Sequence, residues 1–103
     1  MSSPLLDIKV EQKGGAAIVR CYGRIVAGSG IDLSIRVREL IPSCQRIVID
    51  LDKVTFLDSM GLGVLVRLNV SARQAGVTLE LANPSRQVQQ LLTMTNTMSL
   101  FGA

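Results

Sequence analysis

The chain has 103 residues, of which 48% are hydrophobic, and this is enough for one domain with an ordinary buried core. It contains no histidine, which removes the commonest general base and metal ligand and argues against zinc chemistry and Ser-His-Asp hydrolysis. The formal net charge is +3, but the arginines are dispersed and the aromatic residues are only Tyr22, Phe56 and Phe101. Direct nucleic-acid binding is therefore not predicted.

Neither a membrane span nor a metal site is predicted. No stretch approaches the roughly 18 apolar residues of a membrane span, and residues 1–6, expected to be flexible, show no signal-peptide pattern. Cys21 and Cys44 lie far apart and match neither a metal-ligand nor a redox spacing, so free thiols are expected. We therefore expect a soluble cytoplasmic protein that needs no cofactor or metal.

The first quarter of the chain predicts an antiparallel hairpin. Residues 7–11 alternate between apolar and polar side chains, Gly14 and Gly15 mark a turn, and an apolar run follows over residues 16–22. The hairpin is the expected start of the sheet.

A loop and a helix are predicted next. Residues 23–30 are expected to form the loop, and Gly28-Ser29-Gly30 is interpreted as a connector because the lysine of a phosphate-binding loop is missing. The apolar spacing predicts a helix over about residues 31–41, ended by Pro42.

The centre of the chain predicts a strand and a second helix. Residues 46–51 are rich in β-branched side chains, Asp52-Lys53 is interpreted as a turn, and residues 54–57 lead to a helix that begins at Ser59 and ends at Gly76.

The last part predicts a strand and a third helix. Residues 77–81 alternate cleanly, Asn83 and Pro84 have the residue types of a helix cap and a first helical position, and Asn96 is the expected helix stop. Leu100 and Phe101 have no assigned place. The whole order predicts an α/β fold with a mixed sheet of four to five strands and helices packed largely on one face.

Ser59 is the candidate functional residue. We interpret it as the N-cap of the second helix, so that its hydroxyl lies at a helix end with partial positive charge. Gly61 and Gly63 each cost that helix about 1 kcal/mol relative to Ala. Either they allow close packing of the helix on the sheet, or they clear the approach to Ser59 for another molecule or a phosphate.

Met60 and Val64 are expected on the outer face of this helix. On a helical wheel they lie opposite the apolar stripe that contains Leu62 and Leu65. This placement predicts a small exposed apolar patch beside Ser59, and such patches often mark partner contacts.

The chain resembles a STAS domain, the family of bacterial anti-sigma factor antagonists and of the cytoplasmic domains of sulfate transporters. The resemblance covers nearly the whole chain and is strongest in residues 47–51, 54–63 and 81–85, above all in the run Asp58-Ser59-Met60-Gly61-Leu62-Gly63. It departs from the family pattern in residues 23–28, where antagonists often carry an acidic residue.

The resemblance implies a function for these residues. It implies that Ser59 is phosphorylated by a partner that is both serine kinase and anti-sigma factor, and that a separate serine phosphatase resets the switch. The remaining expected partner-binding residues are Asp58, Met60, Gly61, Leu62, Gly63 and Val64. Asp58 either positions Ser59 or binds the kinase, or it only caps the turn through its own backbone.

Two other functions remain open. The chain could be a STAS scaffold or transport-complex subunit that binds its partner without phosphorylation. An enzyme is not predicted, because without histidine only Asp58, Lys53 or a thiol could activate a nucleophile. The expected oligomeric state is a monomer or a weak homodimer formed through the sheet.

Overall fold

The structure is a computed structural model that describes residues 5–94. The predictions for residues 1–4, Asn96, Leu100 and Phe101 lie outside this range. The elements in chain order are β1 (Leu6–Lys13), β2 (Ala16–Ile25), α1 (Ala27–Leu40), a 3-10 turn (Ile41–Ser43), β3 (Arg46–Leu57), α2 (Ser59–Gln74), β4 (Thr78–Ala82) and α3 (Arg86–Met94).

The four strands of this part of the chain form one mixed sheet in the order β1-β2-β3-β4. β1 and β2 are antiparallel, whereas β2 with β3 and β3 with β4 are parallel. The parallel pairs are joined by helices, as parallel crossovers require. The predicted α/β fold class and mixed sheet are confirmed, with the hairpin at one edge.

The core lies between the sheet and the helix pair formed by α1 and α2. Alternate residues of the central strands are fully buried, among them Val19, Ile47 and Ile49, and Leu65 and Leu68 of α2 are buried with them. The other face of the sheet carries ion pairs. The buried residues therefore hold α1 and α2 against one face of the sheet.

α1 begins earlier than predicted. β2 continues to Ile25, so Gly28-Ser29-Gly30 forms the first turn of α1 and is not a connector. The reason is the Ser29 hydroxyl, which accepts a hydrogen bond from the Val26 backbone N–H at 3.0 Å and donates one to the Arg24 carbonyl at 2.7 Å. A side-chain acceptor thus stabilises a helix start that the glycines disfavour.

β3 is one continuous strand, and the predicted turn at Asp52-Lys53 is wrong. The Asp50 carboxylate accepts a hydrogen bond from the Asp52 backbone N–H at 3.0 Å. The register of β2 against β3 also shifts between Arg20 and Tyr22, beside this point. The polar residues here mark an irregularity in the hydrogen-bond ladder between β2 and β3. The strand β3 continues through it.

The start of α3 also differs from the prediction. Ser85, not Asn83, occupies the capping position, since its hydroxyl accepts a hydrogen bond from the Val88 backbone N–H at 3.3 Å. Asn83 has a positive φ of 53° and donates a side-chain hydrogen bond to the Asp50 carboxylate at 3.2 Å. Asn83 tolerates this left-handed backbone, so the turn before Pro84 can form.

Candidate functional site

Ser59 is the first residue of α2 and is exposed. It follows directly from the carboxyl end of β3, where Leu57 is buried against the core. β2 ends beside it, because Ile25 and Leu57 are register partners. Because β2 and β3 are parallel, α1 and α2 both start at the carboxyl ends of these strands. The exposed Ser59 lies there.

The cap of α2 is Asp58, and the prediction that Ser59 is the N-cap is wrong. Asp58 has an extended backbone, with φ −101° and ψ −178°, and its carboxylate accepts a hydrogen bond from the Gly61 N–H at 2.8 Å. A carboxylate is favoured at this position because its negative charge meets the positive helix end. Asp58 thus caps through its side chain, not only through its backbone.

The two glycines of the first turns of α2 have different surroundings. A Cβ on Gly61 would lie 2.0 Å from the Ile25 carbonyl oxygen and 2.9 Å from Leu57 Cδ1. A Cβ on Gly63 would meet only the Arg67 guanidinium, at 3.7 Å. Close packing on the sheet therefore accounts for Gly61, whereas packing within the described part of the chain does not require glycine at position 63.

Val64 is buried, so the prediction that it lies on the outer surface is wrong. Its side chain packs against α1 at Gly30, where an added Cβ would lie 2.9 Å from Val64 Cγ2. The helical wheel missed this contact because α1 covers a second face of α2. Leu62 is also buried, while Met60 is 57% exposed as predicted.

Sequence reasoning missed two exposed residues near the carboxyl ends of β2 and β3. The Phe56 side chain is 39% exposed, three residues before Ser59. The Arg24 guanidinium lies over its ring, 5.9 Å from the centroid. The available signal was the single aromatic residue of β3, near its end and three residues before Ser59. Because Leu57 faces the core, the preceding Phe56 faces the opposite side of the sheet, whereas the exposed Met60 belongs to α2.

Among residues 5–94, no group of three or more His, Cys, Asp or Glu side chains is placed to hold a metal ion. The buried thiol of Cys21 belongs to the core, where burial and, to a smaller extent, the Asp50 carboxylate raise its pKa to about 12. A thiol with that pKa stays protonated near neutral pH and is a poor nucleophile.

The family model for the STAS domain matches residues 7–101. The chain belongs to the STAS domain family. A STAS-domain containing protein of Pseudomonas aeruginosa is 31% identical over 88 residues, which is 85% of this chain and 87% of the relative. The anti-sigma F factor antagonist of Paenibacillus polymyxa is 30% identical over 91 residues, covering 86% and 78% of the two chains.

Solved structures show the same STAS fold. The anti-sigma factor antagonist SpoIIAA in its unphosphorylated form matches with a TM-score of 0.80 and 15% identity over 92% of this chain and 85% of that one. Its phosphorylated form from Bacillus matches with a TM-score of 0.75 and 14% identity, over 92% and 88%. The murine Solute Carrier 26 family member A9 anion transporter matches with 0.71 and 20% identity, over 82% of this chain and 14% of the transporter.

In the part of the chain that the structure describes, no helix is long and apolar enough to cross a membrane.

Proposed function

We propose that this STAS domain is an anti-sigma factor antagonist: a protein-binding regulatory module switched by phosphorylation of Ser59. In this proposal the partner is both the serine kinase and the anti-sigma factor, and binding of the unmodified antagonist frees the sigma factor for transcription in the cytoplasm. The observation that carries the proposal is the exposed position of Ser59, whose hydroxyl does not cap α2 because Asp58 does so.

A phosphate on Ser59 would change the surface more than the fold. It adds about 1.5 to 2 negative charges and three acceptor oxygens. These lie at the N-terminus of α2, where the helix dipole favours negative charge and offsets part of the repulsion from the Asp58 carboxylate that caps the helix. Docking would bury the same charges beside the exposed Met60, which is costly unless the partner supplies a cation. The phosphorylated form therefore releases the partner and stays folded.

The partner-binding surface of the proposal has an outer and an inner part. The outer part is Asp58, Ser59, Met60 and Gly63. The inner part, Gly61, Leu62 and Val64, is buried and sets the height of the helix end above the sheet. Gly63 lets a partner come close to the α2 backbone.

The catalytic machinery belongs to the partner in this proposal. The kinase supplies ATP and Mg²⁺, and a serine phosphatase removes the phosphate. This chain is then a substrate and not an enzyme.

A second candidate function is a STAS scaffold or transport-complex subunit, which binds its partner without phosphorylation. The similarity of the fold to the STAS region of the murine anion transporter favours it. So does the segment from Gly23 to Gly28, which lacks the acidic residue that antagonists often carry in this region.

Phosphate incorporation separates the two functions. The purified protein and its Ser59→Ala variant are incubated with ATP and each candidate anti-sigma kinase, beginning with any encoded by a neighbouring gene, and analysed by mass spectrometry. The proposal expects about one phosphate on Ser59 and none on Ser59→Ala. Absence of phosphate on wild type with every kinase, together with stable binding of one of them, favours the scaffold.

A further inference from the structure

The outer edge of β1 is unpaired within the described sheet, and its chemistry matches that of a second copy of itself. β1 spans Leu6–Lys13 and is the end strand in the order β1-β2-β3-β4. Eight residues make a long edge, and such edges offer free N–H and C=O groups to another strand. The directions of the β1 backbone groups and the charges of β1 indicate which strand can pair with this edge.

The backbone direction is fixed by one hydrogen bond. The Arg24 N–H donates to the Leu5 carbonyl at 2.9 Å, so the Leu5 carbonyl points toward β2. In an antiparallel pair without register shifts, alternate residues point the same way. Odd-numbered residues of β1 therefore bond β2, and Ile8, Val10 and Gln12 direct both backbone groups outward.

The side chains alternate in the same period. Ile8 and Val10 lie on the core face and are only partly buried, since no strand covers their outer side among the described residues. The opposite face carries charges of alternating sign, and all of these residues are exposed: Asp7, Lys9, Glu11 and Lys13.

We propose that two copies of this chain pair antiparallel through β1, with the two-fold axis at Val10, to form one continuous sheet. This register places Asp7 opposite Lys13 and Lys9 opposite Glu11 of the second copy, so every charged pair is attractive. It also places Ile8 opposite Gln12, so the outward backbone groups exchange about six hydrogen bonds.

Neighbouring registers are excluded by repulsion. An axis at Lys9 places that lysine opposite its own copy and Asp7 opposite Glu11. An axis at Glu11 places that glutamate opposite its own copy and Lys9 opposite Lys13. Like charges directly opposite each other destabilise an antiparallel pair. Axes at Ile8 or Gln12 also place unlike charges opposite each other, but each forms about two such pairs, whereas the axis at Val10 forms about four and is therefore favoured.

A cleft with both apolar and charged walls, beside the edge, adds contact area. It lies between β1 and α1 and is lined by Leu6, Ile8 and Ile35 together with Asp7, Asp32 and Arg36. Ile35 is 54% exposed, so a second copy of the sheet edge would cover apolar surface there. The pairing does not use Ser59 and does not rest on the proposed function.

Cysteine cross-linking tests the register. Directly opposed Cα atoms in a hydrogen-bonded pair are about 5.5 Å apart, within the range of a disulfide. Under mild oxidation Val10→Cys is expected to form a disulfide-linked dimer, whereas the matched control Gln12→Cys, on the same edge but facing Ile8, is expected to stay monomeric. Both variants also carry Cys44→Ser, because the Gln12 side-chain amide lies 3.7 Å from Cys44 Sγ and a cysteine at position 12 could pair with it, whereas Cys21 is buried in the core. Equal cross-linking of both variants, or of neither, overturns the register.

Sedimentation velocity from about 5 µM to about 500 µM tests the association itself. Wild type is expected to shift reversibly from monomer to dimer. Asp7→Lys, which creates two repulsive pairs, is expected to weaken the dimer about tenfold, and the swap Asp7→Lys with Lys13→Asp is expected to restore it. A wild type that stays monomeric, a dimer indifferent to Asp7→Lys, or a swap that fails to restore association overturns the proposal.

Discussion

The two glycines of α2 provide a matched pair of substitutions with opposite expected effects on stability. In Gly61→Ala the new methyl group would lie 2.0 Å from the Ile25 carbonyl oxygen. That oxygen belongs to the backbone, so the helix or the strand must move. We expect a net loss of about 2 to 4 kcal/mol in the free energy of unfolding, after the gain in helix propensity is subtracted.

In Gly63→Ala the methyl group meets only the flexible Arg67 guanidinium, at 3.7 Å. The helix propensity of alanine then acts alone, and the free energy of unfolding is expected to rise by about 0.5 to 1 kcal/mol. In a domain of this size, one kcal/mol corresponds to about 4 to 8 °C in Tm. Gly61→Ala should therefore lose about 10 °C or more, while Gly63→Ala gains a few degrees.

Urea denaturation followed by far-ultraviolet circular dichroism measures both effects under one condition, with the m-value as a check that the denatured state is unchanged. A Gly61→Ala variant as stable as wild type would refute the close contact with Ile25. A Gly63→Ala variant less stable than wild type would refute the open surface at that position. If Gly63 serves a partner, its alanine variant should be more stable and bind the partner less tightly.

Two further predictions concern Asp58 and Cys21. Asp58→Ala should lower the free energy of unfolding by about 1 kcal/mol through loss of the cap, while Asp58→Asn, which keeps an acceptor, should lose less than half of that in the same urea assay. Equal losses would contradict capping by the side chain. Because burial raises the Cys21 pKa from 9.0 to about 12, the unfolded thiol ionises first, so stability should fall between about pH 9 and about pH 12. Urea titrations across that range should show a shallower fall for Cys21→Ala, and identical slopes would contradict the shift.

The sequence predicts the sheet well because its strands alternate or are strongly β-branched. Residues 16–22 and 77–81 fall within or beside β2 and β4, and the Gly14-Gly15 turn joins β1 to β2 as expected. The fold class follows from this order of elements. Local pattern and tertiary packing agree in these regions, so no contact elsewhere in the chain is needed to find them.

The errors occur where a distant contact or a side-chain cap decides. Val64 is buried because Gly30, which has no side chain, allows α1 to pack closely against it. The apolar pattern of α2 alone does not indicate this contact. The start of α1 depends on the Ser29 hydroxyl bonding the Val26 N–H. At the site, Asp58 and Ser59 are both good capping residues, and only the backbone geometry decides that Asp58 is the cap.

The affinity of the partner for the protein with and without phosphoserine at position 59 tests the central claim most directly. Phosphoserine is introduced during translation, and each form is titrated into the anti-sigma kinase by calorimetry, with circular dichroism as a check on the fold. We expect the phosphorylated form to keep its Tm within about 4 °C and to bind at least about 100-fold more weakly. Equal affinity of the two forms, or loss of the fold on phosphorylation, would contradict a switch that acts at the surface of α2.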